Sequence, residues 1–422
     1  MSKRRYRTTE VNEVNWHRIA ECVDGRRVVF GVDVAKEKFV GALMTPDRRV
    51  IETLRWRHPE QTRALVEALL KHLEPGSLEV VMEPSGTYGD SVWGLFVSAG
   101  VAVFRVSPKR VHDAAEVYDG VPSLHDAKAA YLIGRFHLDG GSRRWEALPV
   151  SRRELKAVVN LMDLYRERYQ SGINRLEGLL ARHWPEADKI MEIDSVSLMS
   201  LLAHYGGAAE VAAHGDQAEQ LLRRTGRSLL RAEKIRQLLD SARSSVGLTC
   251  SDCERIYLQT LARETLDSYR SLSEAKKQVE QRAVDDPTIA PLAAVVGKIT
   301  SAVLVATQGT PLSYADAGSY LKSLGLNLKE KSSGKHQGQL KITKRGPGVA
   351  RKYLYLAALR FIRNDPIARA WYQRKAQRDG GQKGKAIVAI MRKLAKSLWH
   401  VARGRAFDSE ALFNIRNLSL GC

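Results

Sequence analysis

The chain has 422 residues, of which 44% are hydrophobic, and a formal net charge of +20. This composition excludes an intrinsically disordered chain, and the length allows two or three domains with buried cores. The large positive charge indicates a polyanionic partner, and nucleic acid is favoured over an acidic membrane surface because no Lys-rich amphipathic helix with exposed aromatic residues is present.

Residues 28–106 show strands alternating with helices. Five short apolar or alternating runs predict β-strands, at 28–34, 38–44, 49–56, 77–84 and 101–108. Two runs with helical spacing predict α-helices, at 58–73 and 91–100. The order βββαβαβ, with the first three strands linked as hairpins, is typical of a ribonuclease-H-like fold. We therefore predict an α/β domain over residues 1–150.

A helical arm is predicted over residues 151–287. Apolar residues recur every three or four positions from 151 to 184, where Pro185 ends the helix, and a looser stripe runs through 216–284. Two long helices of this kind favour an antiparallel coiled coil. An ordinary helical bundle packed on the first domain is the alternative.

A basic, all-α region is predicted over residues 288–422. Residues 331–400 contain 18 Lys and Arg but only two acids, Asp365 and Asp379. A solvated helix face would mix the two signs of charge. We therefore expect the polyanion to contact this region, where phosphate contacts supply affinity and salt dependence but little sequence selection.

Two acids stand at the ends of predicted strands that are neighbours in a ribonuclease-H-like sheet. Asp33 ends the first strand and Glu83 ends the fourth. Carboxylate oxygens are the ligands that Mg²⁺ prefers, and a pair of ions about 4 Å apart can promote phosphoryl transfer. Asp126 begins a predicted helix beside the sheet, where it is either a third ligand or simply the helix N-cap.

Four segments carry a resemblance to a known family: GVDVAKEKF, MEPSGTYG, HDAKAAYLIGRF and SSGKHQGQLKITKRGPGVARKYLYLAALR. Together they resemble the DEDD-type insertion-sequence transposases, relatives of the Piv-type DNA invertases. The resemblance spans residues 28–180 and 288–400. It implies a RuvC-like N-terminal domain and a C-terminal transposase domain that carries a serine nucleophile.

The resemblance also implies a site of four acids that binds a divalent metal. Asp33 matches the first acid, Glu83 the second and Asp126 the last. The third acid normally precedes the last by three residues, where this chain has Ser123. Either Asp119 replaces it, or three acids work with water or the Ser123 hydroxyl, or this copy is impaired.

In the resembled family the nucleophile is a serine directly before a glycine, which corresponds to Ser333 here. A covalent phosphoserine would conserve the energy of the phosphodiester, so strands could be exchanged without ATP. The residues alone favour a different role for SSG, a loop that grips phosphate, and Ser332 is the alternative nucleophile. The basic residues expected to neutralise charge on the phosphate are Lys335, Lys341, Lys344 and Arg345.

Further partners follow from the resemblance. It implies a homo-oligomer, a dimer or tetramer, with a composite site formed between subunits. It also implies a structured guide RNA that selects DNA by base pairing, which agrees with the lack of a recognisable base-reading module. The tract 291–309 resembles a helix-hairpin-helix, although only Gly297 of its hairpin signature is present.

The cysteine content and the apolar runs indicate where in the cell the protein acts. The four cysteines are too few and scattered for a disulfide framework, so a reducing bacterial cytoplasm is expected. The CSDC at 250–253 has zinc-like spacing but no second pair nearby, so incidental cysteines are favoured. The basic N-terminus lacks an apolar run typical of a signal peptide, and no stretch approaches the roughly 20 apolar residues of a membrane span.

The sequence thus predicts a Mg²⁺-dependent DNA transposase with a serine nucleophile. A ribonuclease-H-type nuclease or resolvase, in which water attacks, is the enzymatic alternative. A nucleic-acid-binding derivative with an impaired site is the non-enzymatic alternative, suggested by Ser123.

Overall fold

The computed structural model describes residues 7–413, except 85, 114–115, 118–119, 122–123, 331–337 and 339. The chain divides into two compact units, Met1–Ala147 and Leu148–Cys422. No helix in the described ranges is both long and apolar enough to cross a membrane.

A seven-stranded mixed sheet forms the centre of the first unit. Its strands are β1 (Thr9–Glu10), β2 (Val28–Asp33), β3 (Lys38–Met44), β4 (Val50–Arg57), β5 (Leu78–Met82), β6 (Ala102–Arg105) and β7 (Arg143–Arg144). They lie in the order β1-β4-β3-β2-β5-β6-β7. Strand β2 pairs antiparallel with β3 and parallel with β5, which pairs parallel with β6. The predicted strands are therefore present, and the arrangement is compatible with a ribonuclease-H-like fold.

Helices cover both faces of this sheet. They are α1 (Trp16–Val23), α2 (Thr62–His72), α3 (Asp90–Ser98), α4 (Pro108–Asp113) and α5 (Asp126–Leu138). The core beneath α1–α3 contains Phe30 and Trp56, whereas Val29 and Met44 belong to the core beneath α5. Because β2 is buried on both faces, its sequence is a continuous apolar run rather than an alternating one.

Helix α5 approaches strand β2 closely because two glycines face each other. A Cβ atom on Gly31 would lie 2.4 Å from the Ala130 carbonyl oxygen and 2.5 Å from the Gly134 nitrogen. On Gly134 it would meet the Met44 Sδ at 2.8 Å. Glycine at both positions lets the helix backbone rest on the strand backbone, which fixes where α5 begins.

Among its described residues, the second unit is helical apart from one short hairpin. Its first helices are α6 (Val150–His183), α7 (Ala187–Ile190), α8 (Val196–Tyr205), α9 (Ala208–Ala213), α10 (Gly215–Gly226), α11 (Ala232–Arg243) and α12 (Asp252–Val284). The remaining elements are α13 (Ala290–Val296), α14 (Lys298–Gln308), α15 (Ala317–Ser323), β8 (Leu328–Lys329), β9 (Lys341–Ile342), α16 (Gly348–Asn364), α17 (Pro366–Arg378), α18 (Lys383–Val401) and α19 (Ser409–Phe413). The prediction of a helical C-terminal region is confirmed.

The two longest helices, α6 and α12, run antiparallel. Arg182 near the end of α6 pairs with Glu254 at the start of α12 at 3.2 Å. Midway, a Cβ on Gly172 would lie 2.1 Å from the Thr265 Oγ1, so the helices touch there. The helical tract predicted at 216–284 is divided into α10, α11 and α12, and the sequence did not reveal α8 and α9. Helices α7–α11 pack against the end of α6 and the start of α12 around a second core that contains the buried Trp184.

The base of the α6–α12 pair shares a core with the C-terminal helices. Val159 of α6 and Val279 of α12 belong to the same buried cluster as Tyr320, Leu354 and Leu394. The pair is also tied by Arg152, whose guanidinium contacts Asp286 at 3.0 Å. The long helices are therefore anchored at one end in the basic helical region.

We expect Gly31→Ala to lower the free energy of unfolding by about 1–3 kcal/mol, because the added methyl collides with backbone atoms that cannot rotate away. Urea denaturation of the full chain measures this change. Gly94→Ala is the matched control, since no atom lies within 4 Å of a Cβ there and α3 would gain helix propensity. Equal denaturation midpoints for Gly31→Ala and the unaltered protein would contradict the proposed contact.

Candidate functional site

Asp33 and Glu83 stand at neighbouring strand ends on one face of the sheet. Strands β2 and β5 are parallel and in register, with Val32 opposite Met82. Val32 and Met82 both pack into the core beneath α1–α3. Because side chains alternate along a strand, the next residues, Asp33 and Glu83, project toward the face that α5 covers. Both side chains are partly buried.

Asp126 is the first residue of α5, not its cap. The N-cap is His125, whose ring nitrogen accepts a hydrogen bond from the Lys128 backbone N–H at 3.3 Å. The simple alternative of an N-cap role for Asp126 was therefore wrong. Its exposed carboxylate is left in the first turn of the helix, where the helix dipole favours negative charge.

The three carboxylates are close enough to influence one another. Burial and, to a smaller extent, the negative charges of Asp126 and Glu83 raise the pKa of Asp33 from 3.8 to about 7, against a hydrogen bond from the Val34 backbone. Burial also raises the pKa of Glu83. The fold thus brings together three acids that are far apart in the sequence, and it favours the protonated form of Asp33.

The donor chemistry fits a hard divalent cation, because carboxylate oxygens prefer such ions and a cation would relieve the repulsion that raises the Asp33 pKa. The described residues nevertheless contain no group of three or more His, Cys, Asp or Glu side chains arranged as metal ligands. Two further candidates for this site, Asp119 and Ser123, lie outside the described residues.

Lys128 is a buried cation that the sequence reasoning missed. Its side chain is only 2% exposed, and its ammonium group donates a hydrogen bond to the Val121 carbonyl at 2.6 Å. This bond ties the first turn of α5 to the chain that precedes it. The available signal was a lone lysine within the apolar run AKAAYLIG, since a fully buried lysine needs a specific partner.

The second candidate region is the hairpin β8–β9, which flanks the SSG segment. Ser332, Ser333 and Lys335 lie outside the described residues. On either side of them, Leu328 pairs with Ile342 and Lys329 with Lys341. The chain on both sides of the predicted nucleophile is thus held by strand pairing.

The base of this hairpin is packed against the end of α15. A Cβ on Gly325 would lie 2.7 Å from the Arg345 nitrogen, and one on Gly346 would lie 2.3 Å from the Ser323 carbonyl oxygen. Lys344 adopts a left-handed conformation with φ of 55°, and its N–H donates to the Gly325 carbonyl at 2.9 Å. Backbone contacts therefore set the direction in which the chain leaves the hairpin.

The basic residues of the C-terminal region have two different roles. Lys341, Lys344 and Arg345 are exposed beside the hairpin, as a phosphate contact would require. Others bond to carbonyl or carboxylate groups of their own chain: Arg351, Lys352, Arg360, Lys375, Arg392 and Lys393. Several cations of this region therefore stabilise the helical core, and the expectation that a polyanion contacts the region stays a prediction.

The tract 291–309 is divided into α13 and α14, which meet at Gly297 with φ of 82°. The Arg360 guanidinium lies over this residue and donates to the Val296 carbonyl. The junction between the two helices is thus covered by a side chain of α16.

Comparison with known proteins identifies relatives of both regions. A family model for DEDD transposases of IS110 type, described as "Transposase", matches residues 30–185, which include Asp33, Glu83 and Asp126. A second model, "Transposase IS116/IS110/IS902 family", matches residues 294–373, which include Ser333.

Two curated proteins are similar along the chain. The "Insertion element IS110 uncharacterized 43.6 kDa protein" of Streptomyces coelicolor is 23% identical over 389 residues, which cover 90% of this chain and 95% of that protein. The "Insertion element IS900 uncharacterized 42 kDa protein" of Mycobacterium paratuberculosis is 33% identical over 103 residues, 24% of this chain and 26% of that protein.

The raised pKa of Asp33 predicts a pH dependence of stability in the metal-free protein. Because its folded pKa lies above the unfolded value, the stabilisation by the protonated form is complete below about pH 4 and is lost as the pH rises through about 7. The free energy of unfolding of the unaltered protein should decrease by about 1–2 kcal/mol between pH 5 and pH 8, and Asp33→Asn should remove this decrease. Urea denaturation in EDTA at both pH values measures it. Parallel pH profiles for the two proteins would contradict the proposed environment of Asp33.

Proposed function

The chain belongs to the IS110 family of insertion-element transposases, and from this we propose that it cuts and rejoins DNA through a covalent phosphoserine intermediate on Ser333. The first unit would be a RuvC-like domain that carries the acids Asp33, Glu83 and Asp126. The α6–α12 pair would form a coiled-coil arm, and the C-terminal helices would form the transposase domain. The corresponding divisions are residues 1–150, 151–287 and 288–422.

The observation that supports this proposal most directly is the effect of two neighbouring acids on Asp33. The negative charges of Asp126 and Glu83 raise the pKa of Asp33, although the three residues come from two strands and a helix. A cluster of like charges is unfavourable for folding, and clusters of this kind are common at functional sites. In a family of DNA transposases, these acids would bind a cation that takes part in phosphodiester chemistry. This role would explain why the unfavourable clustering of like charges is tolerated.

In the serine step, the Ser333 Oγ would attack the phosphorus of a DNA phosphodiester. A P–O bond to serine forms, the bond to one deoxyribose oxygen breaks, and the serine proton passes to a base while the leaving oxygen takes up a proton. Attack by a DNA hydroxyl on the phosphoserine would reverse these changes and join a new pair of strands. Lys341, Lys344 and Arg345 beside the hairpin, together with Lys335, would neutralise charge on the phosphate.

Asp33, Glu83 and Asp126 would hold the divalent metal ion that DEDD transposases generally use, here proposed to be Mg²⁺. Such an ion lowers the pKa of a bound hydroxyl and stabilises negative charge on phosphate oxygens. Asp119 or the Ser123 hydroxyl would complete the ligand set. The partly protonated Asp33 would ionise when a cation is bound, because the cation offsets the repulsion from the other two acids.

The proposal includes a structured guide RNA and a homo-oligomer, a dimer or tetramer. Both follow from the family resemblance, and the net charge of +20 is compatible with a protein that holds RNA and DNA together. Base pairing between RNA and DNA would then select the sequence, while the protein contacts mainly phosphates.

We expect Ser333→Ala to abolish covalent protein–DNA adducts while DNA binding remains within about two-fold, because the hydroxyl makes a bond only in the chemical step. Denaturing gel electrophoresis of labelled DNA after reaction in Mg²⁺ measures the adduct. Ser332→Ala is the matched control and should keep it. Adducts that persist in Ser333→Ala and disappear in Ser332→Ala would assign the nucleophile to Ser332.

Asp33→Ala, Glu83→Ala or excess EDTA should stop cleavage in the same assay although Ser333 is intact. Full cleavage in EDTA would refute the metal site. Hydrolysed DNA ends without any adduct would instead favour a ribonuclease-H-type nuclease or resolvase. Tight binding without cleavage in Mg²⁺ or Mn²⁺ would favour a nucleic-acid-binding derivative.

The RNA part of the proposal predicts that one discrete, folded RNA copurifies with the protein from its native cells. Sequencing of the bound RNA measures this, and RNA extracted from cells that lack the protein is the control. Its loops should be complementary to the DNA that the protein cuts. A random sample of cellular RNA would contradict guidance and would leave only generic attraction between the +20 protein and polyanions.

A further inference from the structure

The edge of the sheet in the first unit carries two stacked tryptophans. The rings of Trp93 on α3 and Trp145 after β7 lie 5.8 Å apart with an angle of 25° between their planes. The Trp93 indole N–H donates to the Trp145 carbonyl at 3.0 Å, which holds the pair in place. Both side chains pack against the core beneath α1–α3 but are only partly buried. A rigid aromatic surface is therefore accessible at this edge.

Two exposed arginines flank this aromatic pair on the same face. Arg105 of β6 lies directly opposite Arg143 of β7. The ladder continues through the Trp145 N–H, which donates to the Val103 carbonyl at 2.8 Å. Since side chains alternate along each strand, Arg105 and Arg143 project on the same side as Val103 and Trp145. The two guanidinium groups and the tryptophans thus form one continuous surface.

The arginine pair has an unfavourable charge arrangement. Residues directly opposite in an antiparallel pair have Cβ atoms about 4.5–5.5 Å apart, and like charges at this distance destabilise a sheet. Both arginines are exposed, and neither is in an ion pair with another described residue. An anion that bridges the two guanidinium groups would remove this repulsion. The pair is therefore suited to bind an anion rather than to stabilise the fold.

We propose that the surface formed by Trp93, Trp145, Arg105 and Arg143 binds unpaired nucleotides of a single-stranded nucleic acid. A base would stack on the tryptophans, and the adjoining phosphates would contact the arginines, as in other single-strand sites. Single strands fit better than duplexes because only an unstacked base exposes its face to a protein ring. The proposal rests on the proposed nucleic-acid function and adds a site in the first unit, apart from the basic C-terminal helices.

The register of the sheet places this site on the opposite face from the acids. Arg105 pairs with Met82, the residue directly before Glu83. Neighbouring strands are about 4.8 Å apart, so β6 and β7 lie about 5 and 10 Å from β5 along the same edge. Because side chains alternate along a strand, Arg105 projects on the same face as Met82, beneath α1–α3, whereas Asp33 and Glu83 project toward α5. The site would therefore hold an unpaired segment on the face of the sheet opposite the acids.

The test is photochemical crosslinking, because the strongly basic C-terminal region would dominate any total binding constant. The full-length protein in EDTA is mixed with 12-nucleotide single strands of DNA or RNA that carry 5-iodouracil, irradiated, and mapped by mass spectrometry. We expect crosslinks at Trp93 or Trp145. In the Arg105→Gln/Arg143→Gln variant, the yield of these crosslinks should decrease at least about five-fold. The slope of the logarithm of the yield against the logarithm of the salt concentration should decrease by about 1.4, the value expected when two phosphate contacts on a single strand are lost.

The matched control is Arg18→Gln/Arg57→Gln, which removes two exposed arginines from α1 and the end of β4, a strand near the opposite edge of the sheet from β6 and β7. Crosslinking should change less than about two-fold there. The melting temperature of Arg105→Gln/Arg143→Gln should stay equal or rise, because a like-charge pair is removed. A matched duplex should crosslink less than the single strand. The DNA and RNA arms show which nucleic acid supplies the nucleotides.

Crosslinks confined to other tryptophans or to the C-terminal region, with binding of the oligonucleotide intact, would overturn this site but leave the proposed transposase function unaffected. Equal crosslink yields in Arg105→Gln/Arg143→Gln and in Arg18→Gln/Arg57→Gln would likewise overturn this site and leave the proposed transposase function unaffected. Failure of the protein to bind any DNA or RNA would overturn both proposals. Covalent adducts on Ser333 are measured separately, so the two can fail independently.

Discussion

The close approach of helix α5 to strand β2 is the contact on which the acid site depends. Gly31 and Gly134 face each other with no room for a Cβ on Gly31, so the helix axis lies as near to the sheet as backbones allow. Asp33 ends this strand and Asp126 begins this helix. A wider spacing would separate the two carboxylates. The glycines thus set the distance between acids that other residues supply.

That arrangement has an electrostatic cost. Burial and two neighbouring negative charges oppose ionisation of Asp33, so the site is destabilised when the carboxylate is charged and no cation is present. The surrounding fold compensates elsewhere: β2 is buried on both faces, and the buried Lys128 ties the start of α5 to Val121. The strands and the helix that present the acids are thus held by buried contacts. A bound cation would make the ionised Asp33 carboxylate favourable instead of unfavourable.

The basic region shows a similar division between structure and binding. Arg351 and Arg392 hold carbonyls of the chain around Gly346 and Leu326, next to the hairpin that flanks the SSG segment. Lys341, Lys344 and Arg345 remain exposed on that hairpin. Cations bonded to these carbonyls thus support the base of the hairpin, whereas the exposed cations lie on it. Net charge counts both kinds equally, so composition cannot separate the cations that bond within the chain from those that are exposed.

The sequence alone determined much of the fold, because apolar periodicity reports burial directly: strands β2–β6 and the long helix predicted at 151–184 follow from local pattern. It also indicated Asp33 and Glu83, since an acid at the end of a buried strand breaks that pattern. Only the tertiary structure decided which groups come together. His125 rather than Asp126 caps α5, Lys128 is buried, and Arg105 faces Arg143 next to two tryptophans. These facts depend on strand register and helix position, which are set by contacts between residues distant in the chain and therefore leave no local signal.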